Sequence, residues 1–345
     1  MKPLRDFKFK NKRVLVRCDF NTPLDEEGNI LDDFRIKQSI PTIKYLMEKG
    51  AKIILMSHLG RPDGKVVEGL RLTPVQSKLR EYLNIPLTKA EDCIGKKVEG
   101  LTFNLEPGGV LLLENLRFHK EEEENDENFA KELAKLGEIY VNDAFSASHR
   151  AHASIVGVPK YIPAAAGFLL EKEVKVLSQI IKNPKRPLLV IIGGSKVGDK
   201  AKMAAKLSEI ADFLLVGNLV AKEIETQKIK MKFPEKIFYP LDDRNSLDIG
   251  EKTIKAFKEK ILKARTVFWA GPLGKIEDEE YQKGTKEVTE TIVKSDAFSV
   301  VGGGDTIEFI NKIGLIEKFG HVSVGGGAML DFLSGKKLPG LEVLK

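Results

Sequence analysis

In the first half of this 345-residue chain, the residues able to do chemistry are cations and hydrogen-bonding groups placed just after short apolar runs. They are Asp19 and Asn21 in RCDFNTP, His58 and Arg61 in SHLGRP, Arg117 in LENLRF, and His149, Arg150 and His152 in SHRAHAS. Arg35 joins them where a helical pattern begins. A guanidinium grips phosphate or carboxylate through two parallel N–H donors. Four arginines at equivalent positions therefore describe a pocket for a small, highly anionic metabolite. Asp19 has two readings, a general base or an acceptor for a substrate hydroxyl or a nearby arginine. With Arg17 and Asn21 beside it, the binding role is preferred. His149 and His152 have the spacing of metal ligands, but no cysteine or third histidine completes a set.

In the second half glycine replaces charge. The stretch GGSKVGDK (193–200) has the glycines of a G-x-x-x-x-G-K-[ST] phosphate loop, but Asp199 and Lys200 stand where that loop needs Lys and then Ser or Thr. Comparable turns recur as VGN, WAGPLG, GGGDT and VGGGAML. Glycine lets backbone N–H groups approach phosphate, and a following helix N-terminus adds positive potential. Any one such turn can be a plain strand-to-helix connection; several in one half of a chain favour a nucleotide. Asp199 is expected to cap the helix that follows the first turn. Asp305 is either a helix cap or a carboxylate for Mg²⁺, which takes one or two carboxylates together with phosphate oxygens and water. No G-x-G-x-x-G occurs, which counts against a dinucleotide. An anion pocket in one half and a nucleotide pocket in the other suit phosphoryl transfer, where positioning and charge neutralisation dominate.

The frame carrying these residues reads as alternating strands and helices. Continuous apolar runs at 13–20, 52–58, 110–115 and 139–145, then at 188–194, 212–218, 236–241, 266–271, 298–304 and 321–327, predict strands buried on both faces of parallel sheets. Ile36, Ile40, Ile43 and Met47 share one face of a helix over 32–50, which Pro41 is expected to kink or restart. Thr73 and Pro74 predict the cap and first turn of another helix. The fold class expected is α/β, in layers. Proline and small residues in 158–167 place a domain boundary there, giving 1–167 and 168–330. In open parallel sheets ligands gather beyond the carboxyl ends of the strands, where the residues above stand.

Composition narrows the partners. The net charge of +6 comes from basic residues scattered among acids, as in HKEEEENDENFAKELAK, with no basic block interleaved with aromatics. That argues against nucleic acid. The run Glu121 to Glu124 is expected to be a solvated loop before a helix. Cys18 and Cys93 are too few for a disulfide framework, which suits a reducing cytoplasm. No signal-like segment and no apolar run of membrane length is read, so neither export nor a membrane partner is expected.

Taken in order, RCDFNTP, FRIKQSIPTI, SHLGRP, LLENLRFHKEEE, YVNDAFSASHRAHAS, GFLLEKEV, IIGGSKVGDK, LDIGEKTI, VVGGGDT, HVSVGGGAML and KKLPGLEVL resemble the signature segments of the phosphoglycerate kinase family across nearly the whole chain. The resemblance implies two Rossmann-like three-layer α/β/α domains with parallel sheets joined by a hinge, residues 331–345 packing back onto the first. It implies reversible phosphoryl transfer between 1,3-bisphosphoglycerate and ADP, giving 3-phosphoglycerate and ATP, in a monomer, with Mg²⁺ as cofactor. By matching motif, Asp19, Asn21, Arg35, His58, Arg61, Arg117 and Arg150 would hold the phosphoglycerate, and Arg35, Lys196 and Lys200 would serve the phosphoryl group in transfer. Gly194, Lys196, Lys200, Gly217, Glu277, Gly302, Gly303, Gly304, Asp305 and Thr306 would serve the nucleotide, Asp305 also holding the metal. The alternatives are a weakened homologue that binds phosphoglycerate or nucleotide, and a kinase of this fold using another nucleotide.

The departures from the family pattern fall mainly on the nucleotide side. Ala270 in WAGP replaces an asparagine, at a cost of about 1–3 kcal/mol if nothing substitutes for the amide. VGNLVA puts Asn218 and Leu219 where glycine is usual, Val324 replaces a threonine, and the stretch between VGN and LDIGEKTI is shorter. In the first half, FSAS stands where F-G-T-A is usual.

Overall fold

The apolar runs become strands because both of their faces have partners to bury against. The structure is a computed structural model that describes residues 1–195 and 197–345, the side chains of Val197 and Asp199 lying outside the described set. It divides into two units, one of Met1–Val174 with Lys337–Lys345 and one of Lys175–Lys336, the division falling inside the helix Phe168–Lys182.

The first unit is built on β1 (Arg13–Arg17), β2 (Lys52–Met56), β3 (Thr88–Lys89), β4 (Val110–Leu112), β5 (Ile139–Asn142) and β6 (Ala164–Ala166). They form one sheet in the order β3-β4-β2-β1-β5-β6, every pairing parallel. Along β1, Val14 and Val16 join one core with Ile53, Leu55, Leu112 and Val141. The alternate residues Leu15, Ile54, Met56 and Leu111 are buried as well. Continuous apolarity rather than alternation is the mark of such a two-sided sheet.

The second unit repeats the plan with β7 (Leu188–Ile192), β8 (Phe213–Val216), β9 (Ile237–Phe238), a small antiparallel pair β10 (Asp243–Arg244) and β11 (Asp248–Ile249), then β12 (Thr266–Ala270), β13 (Phe298–Gly302) and β14 (His321–Ser323). The main sheet has the order β14-β13-β12-β7-β8-β9, again parallel throughout. Its order reverses between β7 and β12, as that of the first sheet does around β1, and such switch points open crevices for ligands.

Several local expectations are corrected. The helix Phe34–Glu48 does not restart at Pro41 but continues through it, and the exposed position of Pro41 leaves the unmade backbone bond on the solvent side. Thr73 is the first residue of its helix rather than its cap, and Leu72 stands at the cap without a side-chain bond. Asp305 is not a cap either; Gly303 holds that place before the helix Gly304–Lys312. The acidic run is a short helix, Lys120–Glu124, with Glu122 wholly buried.

Candidate active site

In the first unit, four strand ends bring their charged residues together. Asp19 follows β1, is 4% exposed, and accepts from Arg35 Nη1 at 2.5 Å, from the backbone N–H of Asn21 at 3.0 Å and from the Ser146 hydroxyl. Burial alone raises a carboxyl pKa; here the Arg35 charge, with the Ser146 hydroxyl and the Asn21 N–H, reverses that and holds Asp19 well below the usual carboxylate range. Asp19 is thus ionised and oriented before any substrate arrives.

His58, after β2, is pushed far below its ordinary pKa by burial and by the cations of Arg17, Arg117 and Arg35, against the pull of Asp19. Arg17 Nη2 lies 3.3 Å from His58 Nδ1. Because a guanidinium only donates, Nδ1 accepts and the imidazole proton sits on Nε2. Arg17 is itself 1% exposed, donates Nε to Ser154 Oγ at 2.8 Å, and that serine is fixed by Glu122 through its hydroxyl at 2.5 Å and its N–H at 2.9 Å.

Asn21 and Arg117 hold one loop from two sides: Gly60 N–H donates to Asn21 Oδ1 at 2.9 Å, and Arg117 Nη1 donates to Gly60 O at 2.8 Å. Arg61, next in that loop, is exposed. Arg117 Nε and Arg150 Nη1 both face Glu123, at 3.2 and 3.9 Å. Asn115 anchors the turn carrying Arg117, accepting from the N–H of Leu59 and of Arg117 and donating to the carbonyls of Leu59 and Leu70. His152 is pushed down to about 3 by burial and by neighbouring arginines, a poor setting for a cation.

In the second unit, backbone takes the place of side chains. Where β7 and β12 end, Gly193 N–H donates to Ala270 O at 3.0 Å and Gly194 N–H to Pro272 O at 2.6 Å. A Cβ on Gly193 would lie 2.2 Å from Pro272 O, and one on Gly271, whose φ is +94°, would lie 2.0 Å from Gly193 O. Only glycine allows this crossing. Gly271 is clamped further, its N–H donating to Thr306 Oγ1 at 3.1 Å and its carbonyl accepting from Trp269 Nε1 at 2.8 Å. The Lys200 ammonium sits on the crossing, donating to Gly193 O at 2.6 Å.

Beside the crossing lies a cleft of about 310 Å³, and Gly194, Gly217, Glu277 and Asp305 are among its lining residues. Asn218 and Leu219 also face it, and a groove of about 540 Å³ continues past them. Asn218 Nδ2 donates to Asp248 O at 2.7 Å, and the buried Asp248 carboxylate accepts from Gly284 and Ile249 N–H, so the shortened stretch is tied back to the cleft wall. Gly302, Gly303 and Gly304 stand at the β13 turn that delivers Asp305, while Thr306 is buried, its hydroxyl oxygen accepting from Gly271 N–H. Ala270 is buried at the end of β12. Lys196 lies outside the described residues, as does the side chain of Asp199.

Sequence reasoning used Arg17 only as a neighbour of Asp19, and missed Asn115, Glu122, Ser146 and Ser154. Asn115 and Glu122 stand within LLENLRFHKEEE, but only burial shows that they brace rather than face solvent.

The model of one family, phosphoglycerate kinase, matches residues 4–230 and 218–336. The phosphoglycerate kinase of Coprothermobacter proteolyticus is 44% identical over 387 residues, covering 100% of the chain and 98% of the relative. That of Moorella thermoacetica is 44% identical over 386, covering 99% and 98%. Solved phosphoglycerate kinase structures from Pyrococcus horikoshii and Coxiella burnetii superpose with TM-scores of 0.89 and 0.82, each at 33% identity; the first covers 100% of the chain and 98% of its own, the second 99% and 98%. The two matched segments overlap at 218–230, in the first part of the shortened stretch.

Proposed function

The chain belongs to the phosphoglycerate kinase family, and from that premise we propose how its residues divide the work of the family's reaction. The reaction is the reversible transfer of a phosphoryl group between 1,3-bisphosphoglycerate and ADP, giving 3-phosphoglycerate and ATP. The chain is a kinase with ATP and ADP as co-substrates.

The first unit, Met1–Val174 with Lys337–Lys345, serves as the phosphoglycerate domain and the second, Lys175–Lys336, as the nucleotide domain, close to the expected 1–167 with 331–345 and 168–330. In the first, Arg35, Arg61, Arg117 and Arg150 hold the anionic groups of phosphoglycerate. Asp19 and Asn21 accept from and orient its hydroxyl, and His58 presents its Nε2–H. The observation that carries this assignment is the Asp19–Arg35 pair, 2.5 Å apart on a nearly buried carboxylate: it aims the guanidinium without the help of a ligand. The attacking group is the carboxylate of 3-phosphoglycerate, already ionised near neutral pH. No general base is required, in keeping with a neutral His58 locked against Arg17.

In the second domain, the nucleotide lies in the cleft of Gly194, Gly217, Glu277 and Asp305, Glu277 on the ribose side. Gly302 to Gly304 and Thr306 shape the phosphate end, and Lys196 and Lys200 neutralise the moving phosphoryl group together with Arg35. Asp305 fits a Mg²⁺ ion, since it offers an exposed carboxylate on the cleft wall at the mouth of a glycine turn, leaving the remaining positions to phosphate oxygens and water. Bound there, Mg²⁺ supplies charge neutralisation on the phosphate oxygens. Transfer is in line, with hinge closure bringing the two substrates within reach and excluding water.

The enzyme acts as a cytoplasmic monomer on small molecules, with neither nucleic acid nor membrane as partner. Among the described residues no helix is long and apolar enough to cross a membrane. A coupled assay with 3-phosphoglycerate, Mg²⁺ and a panel of nucleoside triphosphates, alongside light scattering, tests the reading. Turnover should require Mg²⁺ and be highest with ATP. Tight phosphoglycerate binding with no turnover on any triphosphate would overturn it.

A further inference from the structure

Outside this site, one cluster of donors has the makings of a metal centre. Asp92 and Cys93 lie between β3 and the helix Lys96–Phe103, and His119 lies between the turn Leu116–Phe118 and the helix Lys120–Glu124. One ligand atom from each falls within 4.8 Å of the others, the only such group of three among the described residues. His119 Nε2 is 2.7 Å from Asp92 Oδ1, and the Cys93 N–H donates to the same oxygen at 2.6 Å. The donors are held from outside. The Asp92 carbonyl accepts from Glu114 N–H at 3.3 Å, and the His119 ring packs on Phe129 with centroids 5.2 Å apart. Cys93 is wholly buried, His119 half-buried and Asp92 exposed, so a central ion would be walled on one side and open to water on the other.

We propose that Asp92, Cys93 and His119 bind one thiophilic divalent cation of the zinc class, with water as fourth ligand. Thiolate, imidazole and carboxylate together are a zinc set; magnesium and calcium take oxygen. Zinc bonds of about 2.0–2.3 Å fit a group this compact, once the Asp92–His119 contact opens by about half an ångström. The Cys93 thiol proton goes to the buffer, Asp92 binds as carboxylate and His119 through the Nε2 lone pair. The two negative ligands cancel the ion's charge, which suits a half-buried place. Bound metal would clamp the 90–95 loop to the segment that follows Arg117, and act on stability rather than on the reacting atoms.

Full-length protein, stripped with a chelator, is titrated with Co²⁺ and then with Zn²⁺. One equivalent of Co²⁺ should give a thiolate charge-transfer band and tetrahedral visible bands, displaced by Zn²⁺ and untouched by Mg²⁺. Cys93→Ser should abolish the charge-transfer band. His119→Gln, a half-exposed change that spares the core, should weaken binding by more than the roughly 10–100-fold that outer-shell changes cost. Zn²⁺ should raise the Tm of the unsubstituted protein and not of either variant, with turnover unchanged in all three. Absence of a saturable band, its survival in Cys93→Ser, unweakened binding in His119→Gln, or equal Tm shifts throughout would overturn the proposal.

Discussion

The two units share a sheet plan and differ in what stands at its carboxyl edge. In the first, side chains interlock: Glu122 fixes Ser154, Ser154 fixes Arg17, Arg17 fixes His58, and Arg35 with Ser146 fixes Asp19. In the second, two backbone turns cross at Gly193 and Gly271, and Lys200 lies over the crossing. A pocket for a small, highly charged acid is made selective by aimed charges, whereas a phosphate chain is held by bare backbone and helix ends. The first unit should therefore be sensitive to lost functional groups and to pH, the second to added atoms.

Arg35→Ala gives the largest effect on the first side. It should lower kcat/KM by about 10²–10³-fold, the size expected for one aimed donor acting on developing charge. Steady-state kinetics reads it, and a loss under tenfold would mean that Arg35 only braces Asp19. Gly271→Ala is the counterpart in the second unit. It combines a positive φ with a Cβ inside Gly193 and should cost roughly 3 kcal/mol in denaturant unfolding. Gly304→Ala, where a Cβ meets nothing within 4 Å, should cost under about 1 kcal/mol. Equal costs would remove the backbone argument.

Acid–base linkage sharpens the contrast. Burial pushes Asp143 up to about 7 although its Oδ1 accepts from Leu169 and Leu170 N–H at the start of the helix Phe168–Lys182. A carboxyl with a raised folded-state pKa binds more protons when folded, so its contribution falls as pH rises from about 4 to 7. Asp19 has the opposite sign, stabilising above its unfolded pKa and losing that only in strong acid. Between pH 5 and 7.5 the Asp143 slope should stand alone of these two, on the order of 2 kcal/mol. Asp143→Asn should flatten it in urea unfolding at the two pH values, and an unchanged slope would assign it elsewhere. The smallest effect is Ser146→Gly, which removes one hydroxyl from Asp19. It should raise the phosphoglycerate KM by roughly two- to fivefold, the size of one hydrogen bond, and leave kcat and nucleotide KM unchanged.

The sequence was legible where burial dictates residue type. The long strands show as unbroken apolar runs because both sheet faces are covered. Thr88–Lys89, Ala164–Ala166 and the Asp243–Ile249 pair are too short to show any run. Arg61, Arg117 and Arg150 were visible from their places after strands, and Arg35 from its place at the start of a helix. What was not visible is who braces whom: Glu122 reads as one acid in a run of four, and only the fold puts its carboxylate against Ser154. Thr306, grouped with the nucleotide by motif, carries its hydroxyl to Gly271, a distinction that needs coordinates.

The first unit is also discontinuous. Lys2 O accepts from Ala166 N–H beside β6, and the last segment returns to pair Gly340 N–H with Ser148 O at 2.9 Å, close to the arginine-bearing loop. During synthesis the first unit gains residues 337–345 only after the whole second unit has been made. At about 5–20 residues per second this is a delay on the order of ten seconds or more. The second unit, one unbroken stretch, can fold as it emerges, so the nascent chain passes through a state with that unit whole and the first still lacking its last segment.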